Sequence, residues 1–262
     1  MNAPVAVCDL CEREGLEVRF LEIPSFEGLY SKTDPPCILL SSLRPFGRQN
    51  FTCAHELGHH CFKHGEHLDV LVENSLDPNA KDTDEFIADR FAATLLMAHL
   101  AIDFGFNARG WKASRGYPHE YYVVASWLGV GYTTLINHLA YTLKGISSKV
   151  AEQLKLVKPK DIRSELLGND CRDNLILLDE QWLGRAVDIQ VGDTVILPSG
   201  STVEGSSIEP INQGESKSVV VGRRPGISRV EVTGSKWSVY VRVSRNNYVG
   251  RSIFRFLEDG EC

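Results

Sequence analysis

The chain reads as an α+β protein, a mixed helical and small-sheet part followed by a smaller β-rich part. Three observations predict this. First, FTCAHELGHHCFKH (residues 51–64) and DEFIADRFAATLLMAHLAI (84–102) carry apolar residues at helical spacing. Second, ahead of them LEVRFLEI alternates like a strand, and CILLSS follows DPP as another. Third, beyond KPKD the texture turns to short β-rich runs (LILLDE, DTVILPSG, KSVVVG, SRVEVTG and KWSVYVRVS) separated by Gly, Ser and Asn turns.

Taken in order, residues 5–15 form a short helix closed by Gly15, and the two strands follow. Asn50 is placed to cap the helix carrying 51–64. ENSLDPNAKDTD is polar and turn-rich, hence a loop, and 84–102 form one long amphipathic helix with an acidic start. FGFNARGWKASRGYP reads as a loop region, and 119–143 as helix interrupted at LGVGYT. A length of 262 residues suits two domains. We expect a boundary near 157–161: residues 1–157, with a helical extension at about 111–145, and residues 158–262.

With 43% hydrophobic and 24% charged residues, the composition excludes disordered and fibrous classes. No apolar run approaches the ~18 residues that a spanning helix needs, so no membrane partner is expected. The start lacks a cationic stretch before an apolar one, and seven cysteines form no regular framework. Both point to reduced thiols and a cytoplasmic setting.

The chemistry concentrates in FTCAHELGHHCFKH. His55 and His59 are four apart, so both imidazoles leave one helix face and can grip one ion. Glu56 sits beside that ion without being a first choice as ligand. Such a spacing suits a catalytic zinc, which keeps one position open for water and needs a carboxylate to take a proton. A third ligand must come from elsewhere, and Glu85 offers it. Asp89, one turn later, can accept the free N–H of a ligand histidine. Asp82 and Asp84 compete as ligand but lack an acidic i+4 partner. His60 and His64 fall on other sides of the helix and are expected to be solvent-exposed.

These motifs resemble the ImmA/IrrE family of zinc metallopeptidases, whose helix reads F-T-x-A-H-E-L-G-H and whose next helix reads E-x-x-A-x-x-F-A-x-x-L-L-M-P. Glu85, Ala88, Phe91, Ala92, Leu95, Leu96 and Met97 match the second pattern, and Ala98 stands where the family has proline. GLEVRFLEIPSFEGLYSKTDPPCILLSS is similar to the family's small sheet. The resemblance covers about the first 145 residues. It implies a gluzincin-like fold with His55, His59 and Glu85 as ligands of Zn2+ and Glu56 as catalytic carboxylate. It also implies an endopeptidase that cleaves a helix-turn-helix repressor encoded nearby, as in CapP-type peptidases of anti-phage (CBASS) operons or in regulators of the DNA-damage response.

Other residues draw weaker readings. Cys37 begins a strand that, by the resemblance, edges the substrate cleft, so its thiolate could fill the open zinc position and inhibit. A small buried residue is the simpler account. Cys8 and Cys11 form a C-x-x-C without a second pair and read as core, as do Cys53 and Cys61. VVASWLGVGYTTLINHLAYTL has helix-turn-helix texture, but its reading helix carries no cation before Lys144, so it is a poor DNA reader. Tyr30, His119, Tyr121 and Tyr122 are candidates to polarise a substrate carbonyl.

The formal charge of −6 hides an asymmetry. Residues 217–255 hold nine cations and one anion, leaving the remainder strongly acidic. In KWSVYVRVSR, Trp237, Val239, Val241 and Val243 face one side, and Lys236, Tyr240 and Arg242 the other. With Arg245 these make a candidate single-strand DNA platform, cations on the backbone and aromatics on the bases. Pairing of this basic side with the acidic remainder is the competing account. The leading expectation is a zinc endopeptidase triggered at a C-terminal sensor region. A DNA-binding regulator with a vestigial zinc site is the alternative, and general protein degradation a third.

Overall fold

The computed structural model describes residues 4–64, 67–70 (as backbone), 83–171, 173–211 and 218–258. The loop expected at 73–84 and the competing Asp82 lie largely or wholly outside them.

The N-terminal part begins with α1 (Val7–Arg13), which buries Val7, Cys8 and Cys11 and is followed by Gly15 at φ +84°. That conformation costs glycine nothing and closes the helix as expected. Strands β1 (Glu17–Leu21), β2 (Phe26–Ser31), β3 (Cys37–Ser41) and β4 (His67–Val70) follow, with α2 (Phe46–Phe62) between β3 and β4. β1 alternates as its sequence does, burying Val18 and Phe20. It pairs parallel with β3, while β2 pairs antiparallel with β3 and β4.

α2 starts a turn earlier than Asn50. Pro45, at φ −57° and ψ 148°, precedes its first residue, and the Gln49 amide donates to the carbonyls of Ser42 and Arg44, tying down the incoming loop. Asn50 is therefore inside the helix, and its amide donates to the Gly129 carbonyl at 2.9 Å.

The long second helix is two helices, α3 (Thr83–Leu96) and α4 (His99–Asn107). Ala98, with ψ 137°, breaks the ladder between them, at the position where the resembled family carries proline. The second half of α4 occupies part of the region expected to be loop. α5 (Pro118–Leu128) ends at Gly129, φ +71°, and α6 (Tyr132–Asn137) begins after it, so the interruption at LGVGYT is real. Tyr132, Leu135 and Ile136 of α6 are buried, which makes this pair a packed extension. α7 (Ser148–Leu156) starts under a Ser147 cap that accepts from Val150 N, and α8 (Pro159–Leu167) starts on proline and ends at Gly168.

Strands follow: β5 (Leu175–Leu177), β6 (Ala186–Gln190), β7 (Thr194–Leu197), β8 (Ser201–Glu204), β9 (Ile208–Ile211), β10 (Ser218–Gly222), β11 (Gly226–Val232), β12 (Ser238–Ser244) and β13 (Gly250–Arg251). They make two four-stranded sheets, in the orders β5-β7-β10-β9 and β6-β12-β11-β8. β13 leaves this group and pairs antiparallel with β1, completing the N-terminal sheet in the order β13-β1-β3-β2-β4. One continuous apolar core runs through both parts, from Leu40, Leu57 and Leu96 to Val187, Val230 and Val241.

Candidate metal centre

α2 and α3 meet at small residues. A Cβ on Gly58 would stand 3.1 Å from Ala88 Cα and 3.2 Å from Phe91 Cδ1. This close approach sets Glu85, one turn before Ala88, against the histidine face of α2. The Nε2 atoms of His55 and His59 lie 3.0 Å apart. Glu85 Oε2 is 3.1 Å from His55 Nε2, and Glu85 Oε1 is 3.4 Å from His59 Nε2. Among the described residues, His55, His59 and Glu85 are the group of three whose donor atoms converge in this way.

The donor set fits zinc. Zinc binds imidazole nitrogen at about 2.0–2.1 Å, so two tetrahedral nitrogen ligands sit roughly 3.3 Å apart. The observed spacings bracket that value. Each imidazole must also turn a lone pair inward, and the outer contacts require it. His55 Nδ1 lies 3.0 Å from Asp89 Oδ1, so that nitrogen carries the proton and Nε2 is free to bind.

His59 is served by a residue the sequence placed in solvent. His64 is buried, its Nδ1 3.1 Å from His59 Nδ1 and its Nε2 3.5 Å from Asp84 Oδ1. A proton on His59 Nδ1 donated to His64, and one on His64 Nε2 directed at Asp84, leaves His59 Nε2 bare. The cause is Lys63, which closes α2 in the left-handed region at φ 58° and folds the chain back. A non-glycine residue there is uncommon, and nothing in FKHG announces it. His60 also differs from expectation, being half-buried with Nδ1 2.8 Å from the Tyr30 hydroxyl. Cys61, expected in the core, is exposed.

Glu56 is fully buried, one residue after His55 on the side of α2 that faces β2. Gly28 permits this. A Cβ there would stand 2.4 Å from Thr52 Cγ2 and 2.8 Å from Glu56 Oε1. Tyr30, two residues on, shares that strand face and reaches the same helix through His60.

The other carbonyl-polarising candidates are engaged elsewhere. Tyr121 donates to the Ala113 carbonyl, and burial pushes its hydroxyl pKa well up. Tyr122 donates to the Leu175 carbonyl at 2.7 Å, and burial raises its pKa too. His119 stacks on Tyr117 and lies edge-on to Trp111. Cys37 opens β3, which lies inside the N-terminal sheet between β1 and β2. Burial raises its thiol pKa, and the charges acting on it are Arg19, Glu17, Glu12 and Arg251, away from the metal ligands. Cys8 and Cys11 are core as expected, their sulfurs 3.9 and 3.8 Å from Cys53 Sγ where α1 packs on α2.

The basic segment is spent largely on internal pairs. Arg242 Nη1 is 3.0 Å from Asp9 Oδ2, and its Nη2 is 2.8 Å from Asp188 Oδ2. Arg255 adds 2.9 Å to Asp188 and 3.8 Å to Asp9. Arg251 reaches Glu12 and Glu17, each at 3.5 Å, Arg223 reaches Glu209, and Arg229 reaches Glu231. Arg242 is thereby removed from the exposed platform, because two carboxylates draw it inward. Lys236, Tyr240 and Arg245 remain exposed. Trp237, Val239, Val241 and Val243 are buried, as their alternation predicts.

Residues 11–124 match the model of a peptidase family described as the IrrE N-terminal-like domain. No curated protein matches the chain. The match contains every residue of the His55–His59–Glu85 centre, so the convergent donor set lies within the part of the chain that is similar to that peptidase family. Among the described residues no helix is long and apolar enough to cross a membrane.

Proposed function

From that match and the geometry of the centre we propose a zinc-dependent endopeptidase that cleaves one specific protein, a helix-turn-helix repressor, to derepress a stress or phage-defence operon. The observation that carries the enzymatic reading is the convergence of His55, His59 and Glu85 beside the buried Glu56. Bound zinc would supply Lewis-acid polarisation of the scissile carbonyl and an acidified water. The residues do the rest. Asp89 and the His64–Asp84 pair hold the ligand tautomers. Glu56 takes a proton from the attacking water on its carboxylate and passes it to the leaving amine. Tyr30, whose strand β2 packs on α2 and whose hydroxyl lies 2.8 Å from His60 Nδ1, is the candidate to polarise the carbonyl.

The repressor as substrate rests on the resemblance of the motifs. Single-stranded DNA as trigger rests on the exposed Lys236, Tyr240 and Arg245, and engagement of Arg242 by Asp9 and Asp188 weighs against it. The test is incubation of the zinc-loaded chain with the repressor encoded beside it, with and without single-stranded DNA. Expected is one discrete cut, lost on chelation and in Glu56→Gln. An intact repressor under all conditions, or cleavage that survives Glu56→Gln, sinks the proposal.

A further inference from the structure

A cavity of about 220 Å³ lies where the end of α5 meets the C-terminal strands. Its walls include Phe46 of α2, Trp127 and Leu128 of α5, Ile176, Trp182 and Val187. Five charged residues also line it: Asp9, Asp188, Arg185, Arg242 and Arg255. Asp9 and Asp188 are matched by Arg242 and Arg255 in the network described above. The remaining charge in the wall is Arg185.

The Arg185 guanidinium lies 5.3 Å from the centre of the Trp127 ring and is half-buried. Among the described residues no carboxylate stands within ion-pair distance of it. Burial draws its pKa down, with no anion to offset that cost. A partly desolvated cation that rests on an aromatic face and has no carboxylate partner among the described residues favours an anionic occupant of the cavity. The volume sets the size. A dry cavity of about 150 Å³ takes a benzene, so this one suits about nine non-hydrogen atoms.

We propose that this cavity binds a small aromatic anion, a single ring bearing one acid group, with the ring among Phe46, Trp127 and Trp182 and the acid on Arg185. The site is separate from the metal centre and does not depend on the peptidase reading. Phe46 and Asn50 of its lining belong to the first turns of α2, so the occupant touches the helix that carries His55, Glu56 and His59.

The test uses benzoate, phenyl phosphate and the uncharged benzamide, followed by calorimetry and by tryptophan fluorescence, since Trp127 and Trp182 line the cavity. A charge-assisted contact predicts that benzoate binds the full chain saturably and benzamide about tenfold more weakly or worse. Arg185→Gln should weaken benzoate by a similar factor and leave benzamide unchanged, and Arg185→Lys should fall between. Tighter binding of phenyl phosphate than of benzoate would make the acid group a phosphate, and the reverse a carboxylate. The proposal is overturned by absence of saturable binding of both anions, by equal binding of benzoate and benzamide, or by anion affinity indifferent to Arg185→Gln. Should Arg185→Gln fail to fold, the benzoate–benzamide comparison on the unaltered chain still decides.

Discussion

Gly28→Ala adds one methyl at the crossing of β2 and α2. Its Cβ would sit 2.4 Å from Thr52 Cγ2 and 2.8 Å from Glu56 Oε1. Carbon atoms in contact normally stay about 3.5–4.0 Å apart, so the Thr52 methyl would be overlapped by more than about 1 Å. Thr52 is buried in a helix, and its branched Cβ leaves it few alternative rotamers. Strand and helix must therefore part, or Glu56 must turn. Overpacking of this kind costs about 1–3 kcal/mol. At about 2–4 °C per kcal/mol for a chain of this size, the melting temperature should fall by roughly 2–12 °C. A shift of about 1 Å in Glu56 should cost about 100-fold in turnover, because a catalytic group must hold its geometry closely. The zinc ligands are untouched, so metal content should stay at the unaltered level. Calorimetry, metal analysis and repressor cleavage read the three quantities. Adding Thr52→Ser removes the worse overlap and should recover stability more than turnover. Unchanged melting and unchanged cleavage in Gly28→Ala would refute the placement of Glu56 against β2.

Three further outcomes follow from the site and its surroundings. His64→Ala removes the acceptor for His59 Nδ1 and should weaken zinc about 10–100-fold in a chelator competition; unchanged affinity would remove His64 from the site. Arg242→Ala leaves Asp188 and Asp9 to Arg255 alone and should cost about 3 kcal/mol in denaturant unfolding, whereas Lys236→Ala, at an exposed position, should cost little. His138 is buried with Nε2 3.1 Å from the Met97 carbonyl, and burial lowers its pKa below 6.5. The unfolded chain then takes up a proton near that value while the folded chain resists. Its contribution is intact above pH 6.5 and declines as pH falls toward the folded pKa. His138→Gln should flatten the stability curve over that window, and an identical curve would refute the assignment.

The metal centre was legible because its parts are periodic. His55, Glu56 and His59 are fixed relative to one another by one helix, and Glu85 and Asp89 by another. The apolar spacing around Ala88 and Ala92 then says which face of α3 turns inward. What escaped was decided outside any period. His64 returns to the site through a single left-handed residue, Lys63. Gly28 matters through what it lacks, which only the distance to α2 reveals. Alternation correctly assigned Arg242 to the face opposite Val241 and Val243. Alternation could not show that Asp9, far away in the chain, and Asp188 on the neighbouring strand would cover that face. Strands β6, β8 and β9 were missed for a similar reason: short, half-polar runs take their conformation from the partner strand.

The same long-range pairs bear on whether residues 1–157 can stand alone. Truncation there removes β13, whose Gly250 and Arg251 pair with Phe20 and Arg19, and leaves the outer edge of β1 bare. It removes Ser252, whose hydroxyl donates to Glu12 at 2.7 Å, and both arginines that hold Asp9. On the other face it removes Asp179, which bonds Arg109 Nη2 at 3.0 Å, and the Gln181 carbonyl, which accepts from Trp127 Nε1. Arg109 is only 5% exposed at its side chain in the full chain, and truncation takes away both its carboxylate and the Asp179–Gln181 segment that lies against it. Stability of about 5–15 kcal/mol for many domains leaves little room for the combined loss of these pairs and of the apolar contacts across them. A bare edge strand and uncovered Trp127 and Tyr122 add a route to aggregation. Residues 1–157 expressed alone should therefore be insoluble, or melt well below the full chain when zinc-loaded. A soluble fragment with a cooperative transition at the full chain's temperature would show that the C-terminal strands are a separable attachment and not part of the scaffold that holds α2.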